Sequence, residues 1–175
     1  MGKGEAMPDK RQNVISWDEF FMMTAVAAQL RSKDPHTQVG ACIVSDKNKI
    51  MSVGYNGFPR GCSDDVFPWA RVSVAGDDTD TKYPYVCHAE LNAILNNRGA
   101  DLEGCRIYVP LFPCNECAKA IIQTGIKEVI YLSDKYDGTP MNTASKKMLS
   151  SAGVLFRQIE FPIDEVRLSY RAEDV

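Results

Sequence analysis

Two short runs carry the residues best suited to chemistry. The first is His88-Ala89-Glu90, and the second, after a gap of 22 residues, is Pro113-Cys114-Asn115-Glu116-Cys117. Two thiolates and one imidazole make three ligands, the number a catalytic zinc uses when its fourth position is kept for water. A structural zinc would want a fourth protein ligand. The only other histidine, His36, lies far upstream without a supporting spacing. Glu90 plays a different part, since a carboxylate in reach of an acidified water can take the proton that the water releases and pass it on. That chemistry is metal-assisted hydrolysis. Taken singly, His88 reads as a core histidine and Cys114-x-x-Cys117 as a structural clamp or a redox pair. Together they discriminate, because a structural site gains nothing from a free carboxylate and a redox pair has no use for His88.

These side chains need elements that hold them at one point. Each ligand candidate falls at the start of a predicted helix, about Cys87–Asn97 and Cys114–Thr124, where free N–H groups and the helix dipole favour thiolate over thiol. Upstream, Ser16 and Glu19 form a capping box opening a helix to about Arg31, with Trp17, Phe20, Phe21, Thr24, Ala25 and Ala28 on its apolar face. Val39–Val44 and Ile50–Tyr55 flank a polar turn and read as a hairpin. Strands at Arg106–Val109, Glu128–Leu132 and Val154–Ile159 alternate with helices, the last near Asn142–Ala152. Such alternation implies crossover connections and a largely parallel sheet covered on both faces, an α/β fold. Residues 57–84 are rich in Gly, Pro and Asp without a period, and a loop of that length inside a domain is generally functional or disordered.

The whole chain of 175 residues has 20 Lys+Arg against 23 Asp+Glu, a net charge of −3, and 45% hydrophobic residues. One domain with a full core follows, stable without disulfide or metal staples. The acidic balance speaks against a protein that holds polynucleotide phosphates. No run approaches the ~18 apolar residues that span a bilayer, and Met1–Gln12 is polar without a signal-peptide core. Six cysteines in a chain of this kind are expected reduced, in a cytoplasmic setting.

The order His-x-Glu followed by Pro-Cys-x-x-Cys resembles the cytidine and deoxycytidylate deaminase superfamily. Further runs narrow the resemblance to its deoxycytidylate branch. They are Arg31-Ser32-Lys33-Asp34-Pro35, Gln38-Val39-Gly40-Ala41, Gly54-Tyr55-Asn56-Gly57, Gly61-Cys62-Ser63-Asp64-Asp65, His88 to Ile94 with Asn92, and Leu111-Phe112-Pro113-Cys114. The resemblance covers Val14 to Phe161. It implies a three-layer α/β/α fold with a mixed five-stranded sheet over 14–161, a disordered start over 1–13 and a tail over 162–175.

It also implies zinc on His88, Cys114 and Cys117, Glu90 as catalytic acid–base, and hydrolysis of dCMP to dUMP and ammonia, supplying dUMP for thymidylate synthesis. Asn56 would bond the deoxyribose hydroxyl, although an Asn after a strand also reads as a turn residue. The backbone at Ala89 and Phe112 would frame the pyrimidine. Lys135 and Tyr136 follow a strand's C-terminal end, where ligands bind in open α/β sheets, and they are candidates for the 5′-phosphate, with Lys33 as a second. The long loop resembles a regulatory segment that takes dCTP with Mg²⁺ as activator and dTTP as inhibitor. Its candidate contacts are Asn56, Gly57, Pro59, Arg60, Gly61, Asp64 and Asp65. The partners implied are small nucleotides and further copies of the chain in a closed homo-oligomer, a hexamer, with no polynucleotide and no membrane.

Overall fold

The computed structural model of the chain describes residues 10–162, 165–167 and 171. Most of the expected disordered start and most of the tail lie outside the described residues. The capping box forms as read: Ser16 Oγ accepts from the Glu19 N–H at 3.2 Å, and the Glu19 carboxylate accepts from the Ser16 N–H at 2.6 Å. Helix α1 (Trp17–Gln29) follows. After it come strands β1 (Gly40–Val44) and β2 (Ile50–Tyr55), helix α2 (Ala89–Asn96), strand β3 (Arg106–Leu111), helix α3 (Asn115–Gln123), strand β4 (Glu128–Ser133), helix α4 (Pro140–Ser151) and strand β5 (Leu155–Gln158). Helix α4 starts two residues before the predicted Asn142, because Thr139 caps it by accepting from the Asn142 N–H and Pro140 has the φ of a first turn.

The five strands form one sheet in the order β2-β1-β3-β4-β5. It is mixed, as the resemblance implied, and less parallel than the alternation of elements predicted. Strand β1 runs antiparallel to both β2 and β3, and only β3, β4 and β5 are mutually parallel. The reason is the hairpin, which places β1 between β2 and β3. Helices α3 and α4 then return the chain to parallel strands, whereas the passage through α2 leads to a strand that does not pair with β2.

Period-two alternation separates two cores. Ile107 and Val109 of β3 join Ala89, Ala93, Ala118, Ile121 and Leu149 on the face covered by α2, α3 and α4. Tyr108 points the other way, into Phe21, Met22 and Ala25 of α1. Three layers result. Among the described residues no helix is long and apolar enough to cross a membrane.

One contact places the chemistry. A Cβ on Gly54 would lie 2.4 Å from the Ala89 carbonyl oxygen and 2.3 Å from the Ala93 nitrogen, so only glycine lets the first turns of α2 settle on β2. Asn92 and Asn96, four apart on α2, then donate to the free edge-strand carbonyls of Tyr55 (2.8 Å) and Val53 (3.1 Å). The long segment between β2 and α2 is ordered by its own aromatic cluster, with Phe58 4.1 Å from Trp69 and Phe67 5.0 Å from Tyr85 between ring centroids. Gly57 and Cys87 exchange backbone bonds of 3.1 and 2.9 Å and close it at the base. Chain leaving β2 and chain entering α2 are thereby neighbours.

Candidate metal centre and its cleft

Helices α2 and α3 point their N-termini at one place. His88 is the N-cap of α2 and Cys114 the N-cap of α3, both extended, and neither side chain caps its own helix. The two side chains are free to face each other. Cys117 lies in the first turn of α3 and joins them: the His88 Nδ1 is 3.4 Å from the Cys114 Sγ and 3.5 Å from the Cys117 Sγ. All three donor atoms lie within 4.8 Å of one another. A tetrahedral zinc with Zn–S near 2.3 Å and Zn–N near 2.0–2.1 Å demands N···S spacings of roughly 3.6 Å, so the donor set fits that ion.

The three donors are electrostatically coupled, and one of them, Cys114, is favoured as a thiolate. Cys114 is lowered to about 4, chiefly by a hydrogen bond from Cys117 and then by His88, against its burial. His88 is raised to about 9, chiefly by its bond to Cys114. Cys117 is pushed up, chiefly by Cys114 and then by burial.

Glu90, in the first turn of α2, is 4% exposed. Burial pushes its carboxyl up, with His88 opposing. It lines the same cleft as the three ligands, a cavity of about 970 Å³. That volume accommodates a small organic ligand. The cleft is also lined by Ala89, Leu111, Phe112 and Pro113. Phe112 is fixed by edge contacts to Tyr131 at 4.8 Å and Phe156 at 5.6 Å, and Ser145 holds the Pro113 carbonyl at 2.8 Å.

A family model, the cytidine and deoxycytidylate deaminase zinc-binding region, matches residues 15–133. The chain belongs to this family. Among its relatives in the family, the deoxycytidylate deaminase of Homo sapiens is 58% identical over 149 residues, 85% of this chain and 83% of the relative. A probable deoxycytidylate deaminase of Drosophila melanogaster is 55% identical over 152 residues, covering 85% and 75%. The crystal structure of the dCMP deaminase from cyanophage S-TIM5 in complex with dCMP and dUMP superposes with a TM-score of 0.63 at 26% identity, covering 81% of this chain and 95% of the other. Deaminase folds of this family are therefore the frame for the remaining residues.

Among the predicted substrate contacts, Asn56, Ala89, Phe112 and Tyr136 line the cleft. Lys135 does not; it is exposed and sits over the Tyr136 ring, 5.0 Å from its centroid. Lys33 lies outside the cleft and forms an exposed ion pair with Asp64. Asn56 is 6% exposed and its amide is engaged within the chain: Oδ1 accepts from the Val39 N–H at 2.9 Å, and Nδ2 donates to the Thr37 carbonyl at 2.9 Å and towards Asp34 at 3.4 Å. It ties the end of β2 to the start of β1. Of the loop candidates, Gly57 is held in the bridge to Cys87, Gly61 has a positive φ of 91°, and Pro59, Arg60 and Asp65 are exposed. Arg60 has no ion-pair partner among the described residues.

Among the cleft residues that sequence reasoning missed are Asp34, Arg71, Lys82 and Tyr83. Asp34 and Lys82 form a buried ion pair, their side chains 2% and 7% exposed. Asp34 stands in the Arg31-Ser32-Lys33-Asp34-Pro35 run that carries the resemblance, without a role of its own. Arg71, Lys82 and Tyr83 lie in the aperiodic segment, where no local pattern marks a residue that folds back onto a distant wall.

Proposed function

We propose that the chain is a zinc-dependent hydrolase that converts dCMP and water to dUMP and ammonia. The observation carrying this reading is Glu90, a buried carboxyl group that lines the cleft beside three zinc-type ligands but is not one of them. His88, Cys114 and Cys117 would hold the zinc, which when bound supplies Lewis acidity and water acidified towards a pKa of ~7. Glu90 takes the proton of the attacking water, delivers it to the pyrimidine ring nitrogen, and carries a further proton to the departing amine. Ala89 and Phe112 frame the ring from opposite helix N-termini, and the wall at Asn56 faces the sugar. Support for the nucleotide as substrate comes from the relatives, named deoxycytidylate deaminases, and from the phage enzyme crystallised with dCMP and dUMP.

Cytidine, dCMP and dCTP assayed side by side on purified protein decide the reading. The expected result is turnover of dCMP far above the other two, with about one zinc per chain by metal analysis and none retained in the Cys114→Ser/Cys117→Ser double variant. Zinc near zero in active wild-type protein, or preference for cytidine, overturns it.

Regulation belongs to the same proposal. The segment from Asn56 to Asp65 leaves directly from the strand end that presents Asn56, so displacement of the segment moves a wall of the cleft. It is the place for dCTP with Mg²⁺ as activator and dTTP as inhibitor, in a homo-oligomer of hexameric type, with dUMP passing to thymidylate synthesis. Arg60, exposed and unpaired among the described residues, is the cation available to a triphosphate there. Titration of dCMP with and without each triphosphate should show sigmoidal saturation turning hyperbolic with dCTP. Couplings of this kind amount to about 1–3 kcal/mol, a factor of roughly 5–150 in affinity. Hyperbolic curves that neither triphosphate shifts would remove regulation from the proposal and leave the chemistry.

A further inference from the structure

Among the described residues three Lys or Arg side chains line the cleft: Arg71, Lys82 and Lys119. Two are already neutralised. Lys82 is paired with Asp34 inside the wall, and Lys119 with Glu116 at 2.6 Å along α3. Lys146, which lies over the Phe112 ring, is likewise held, by Asp134 and Asp137, each at 2.6 Å. Arg71 alone among these has no carboxylate partner among the described residues. Its Nε donates to the Tyr83 hydroxyl at 3.3 Å, which steadies the side chain from the long segment and leaves both terminal amines of the guanidinium uncommitted. Tyr136, from the loop after β4, lines the same cleft.

An exposed guanidinium with its terminal fork open, held by the Tyr83 phenol and lining a cleft that Tyr136 also lines, is chemically matched to a phosphate monoester. The planar fork meets two phosphate oxygens at once, and phenolic hydroxyls supply further donors. Of the carboxylates lining the cleft, Asp34 is paired with Lys82 and Glu116 with Lys119, which lowers their repulsion of an incoming dianion. We propose that Arg71, oriented by Tyr83 and with Tyr136 lining the same cleft, recognises the 5′-phosphate and sets the preference for nucleotide over nucleoside. This rests on the dCMP reading above. It moves phosphate recognition away from Lys135 and Lys33, which do not line the cleft, and onto the segment between β2 and α2. That segment then contributes to the substrate side of the cleft as well as to its regulation.

The test compares kcat/KM for dCMP and for deoxycytidine in the zinc-loaded wild type, Arg71→Ala and Arg71→Lys. Charge-assisted hydrogen bonds of this kind are worth about 10–100-fold, so Arg71→Ala should lower the dCMP-to-deoxycytidine ratio by about that factor. Arg71→Lys, which keeps the charge and loses the fork, should restore only part of it. Inorganic phosphate should compete with dCMP in wild type and compete more weakly in Arg71→Ala. Where deoxycytidine turns over too slowly to measure, the ratio of inhibition constants for dUMP and deoxyuridine carries the same information. An unchanged ratio in both variants overturns the assignment while leaving dCMP deamination intact. A wild type that does not turn over dCMP overturns the functional reading itself, and this inference with it.

Discussion

Glu90→Gln should lower kcat for dCMP by about 10²–10⁴-fold, while about one zinc per chain and the affinity for dUMP persist. General acid–base groups contribute on that scale, and here one carboxyl serves at least two proton transfers. The amide matches the carboxylate in shape, and the residue sits inside the first turn of α2, so the helix and the packing of Ala89 and Ala93 against the sheet are not disturbed. What changes is the capacity to take and give a proton. The expected pattern is therefore a drop confined to kcat, with the inhibition constant of dUMP moving less than about tenfold. Retention of more than about a tenth of wild-type kcat would remove Glu90 from the proton path. Loss of zinc together with activity would mean that Glu90 helps to hold the site instead.

The parts of this site that were legible in the sequence share one property: each is local. His88 and Glu90 are two apart, Cys114 and Cys117 three apart, and both runs open helices, so their geometry follows from the position of a helix start. The hairpin, the capping box and the crossover helices are local in the same sense. The relation of β1 to β3 was not legible, because pairing between strands distant in the chain leaves no trace in either strand's pattern. Two of the phosphate candidates, Lys135 and Lys33, lie outside the cleft for a similar reason. Lys135 was placed correctly after β4, but whether a loop cation faces the cleft or the solvent depends on the fold of its neighbours, here the Tyr136 ring. Asn56 was read as a sugar contact or a turn residue, and its amide proves to bridge β2 to the start of β1 through Val39 and Thr37. Nothing in residues 57–84 announced that Lys82 would be buried against Asp34.

That pair carries the second large expectation: Asp34→Asn should destabilise the zinc-loaded protein by about 3–5 kcal/mol, the cost of leaving a buried charge without its partner. Asp34 gathers four donors. One carboxylate oxygen accepts from the His36 N–H at 2.9 Å and the Thr37 N–H at 3.2 Å, and the other from the Lys82 ammonium and, at 3.4 Å, from Asn56. Asparagine can keep the turn bonds, but its amide then presents a donor to an ammonium. Lys82→Met should cost a similar amount, since it leaves the carboxylate buried and unpaired. In the double variant the two losses should not add, because neither charge remains. A double-mutant cycle from urea midpoints at constant m-value reads this directly. Additive losses would show that the two side chains act independently.

The pH dependence has a definite sign. Burial pushes the Asp34 carboxyl up, but Lys82 and the two N–H groups outweigh it, and the net shift is downward. A carboxyl lowered on folding contributes stability that is fully present above its unfolded value, near 3.9, and is lost as pH falls through the folded value. The stability gap between wild type and Asp34→Asn should hence be constant from neutral pH down to about 5 and narrow below about 4. Because the pair joins the segment before β1 to the end of the long loop, two residues short of Pro84 and six short of His88, its loss should also loosen the wall that carries Asn56. Hydrogen exchange at Thr37, Val39 and Gly57 should rise in Asp34→Asn before exchange in β3 and β4 does. Uniform acceleration across the sheet would mean instead that the pair stabilises the fold as a whole and has no particular hold on the cleft.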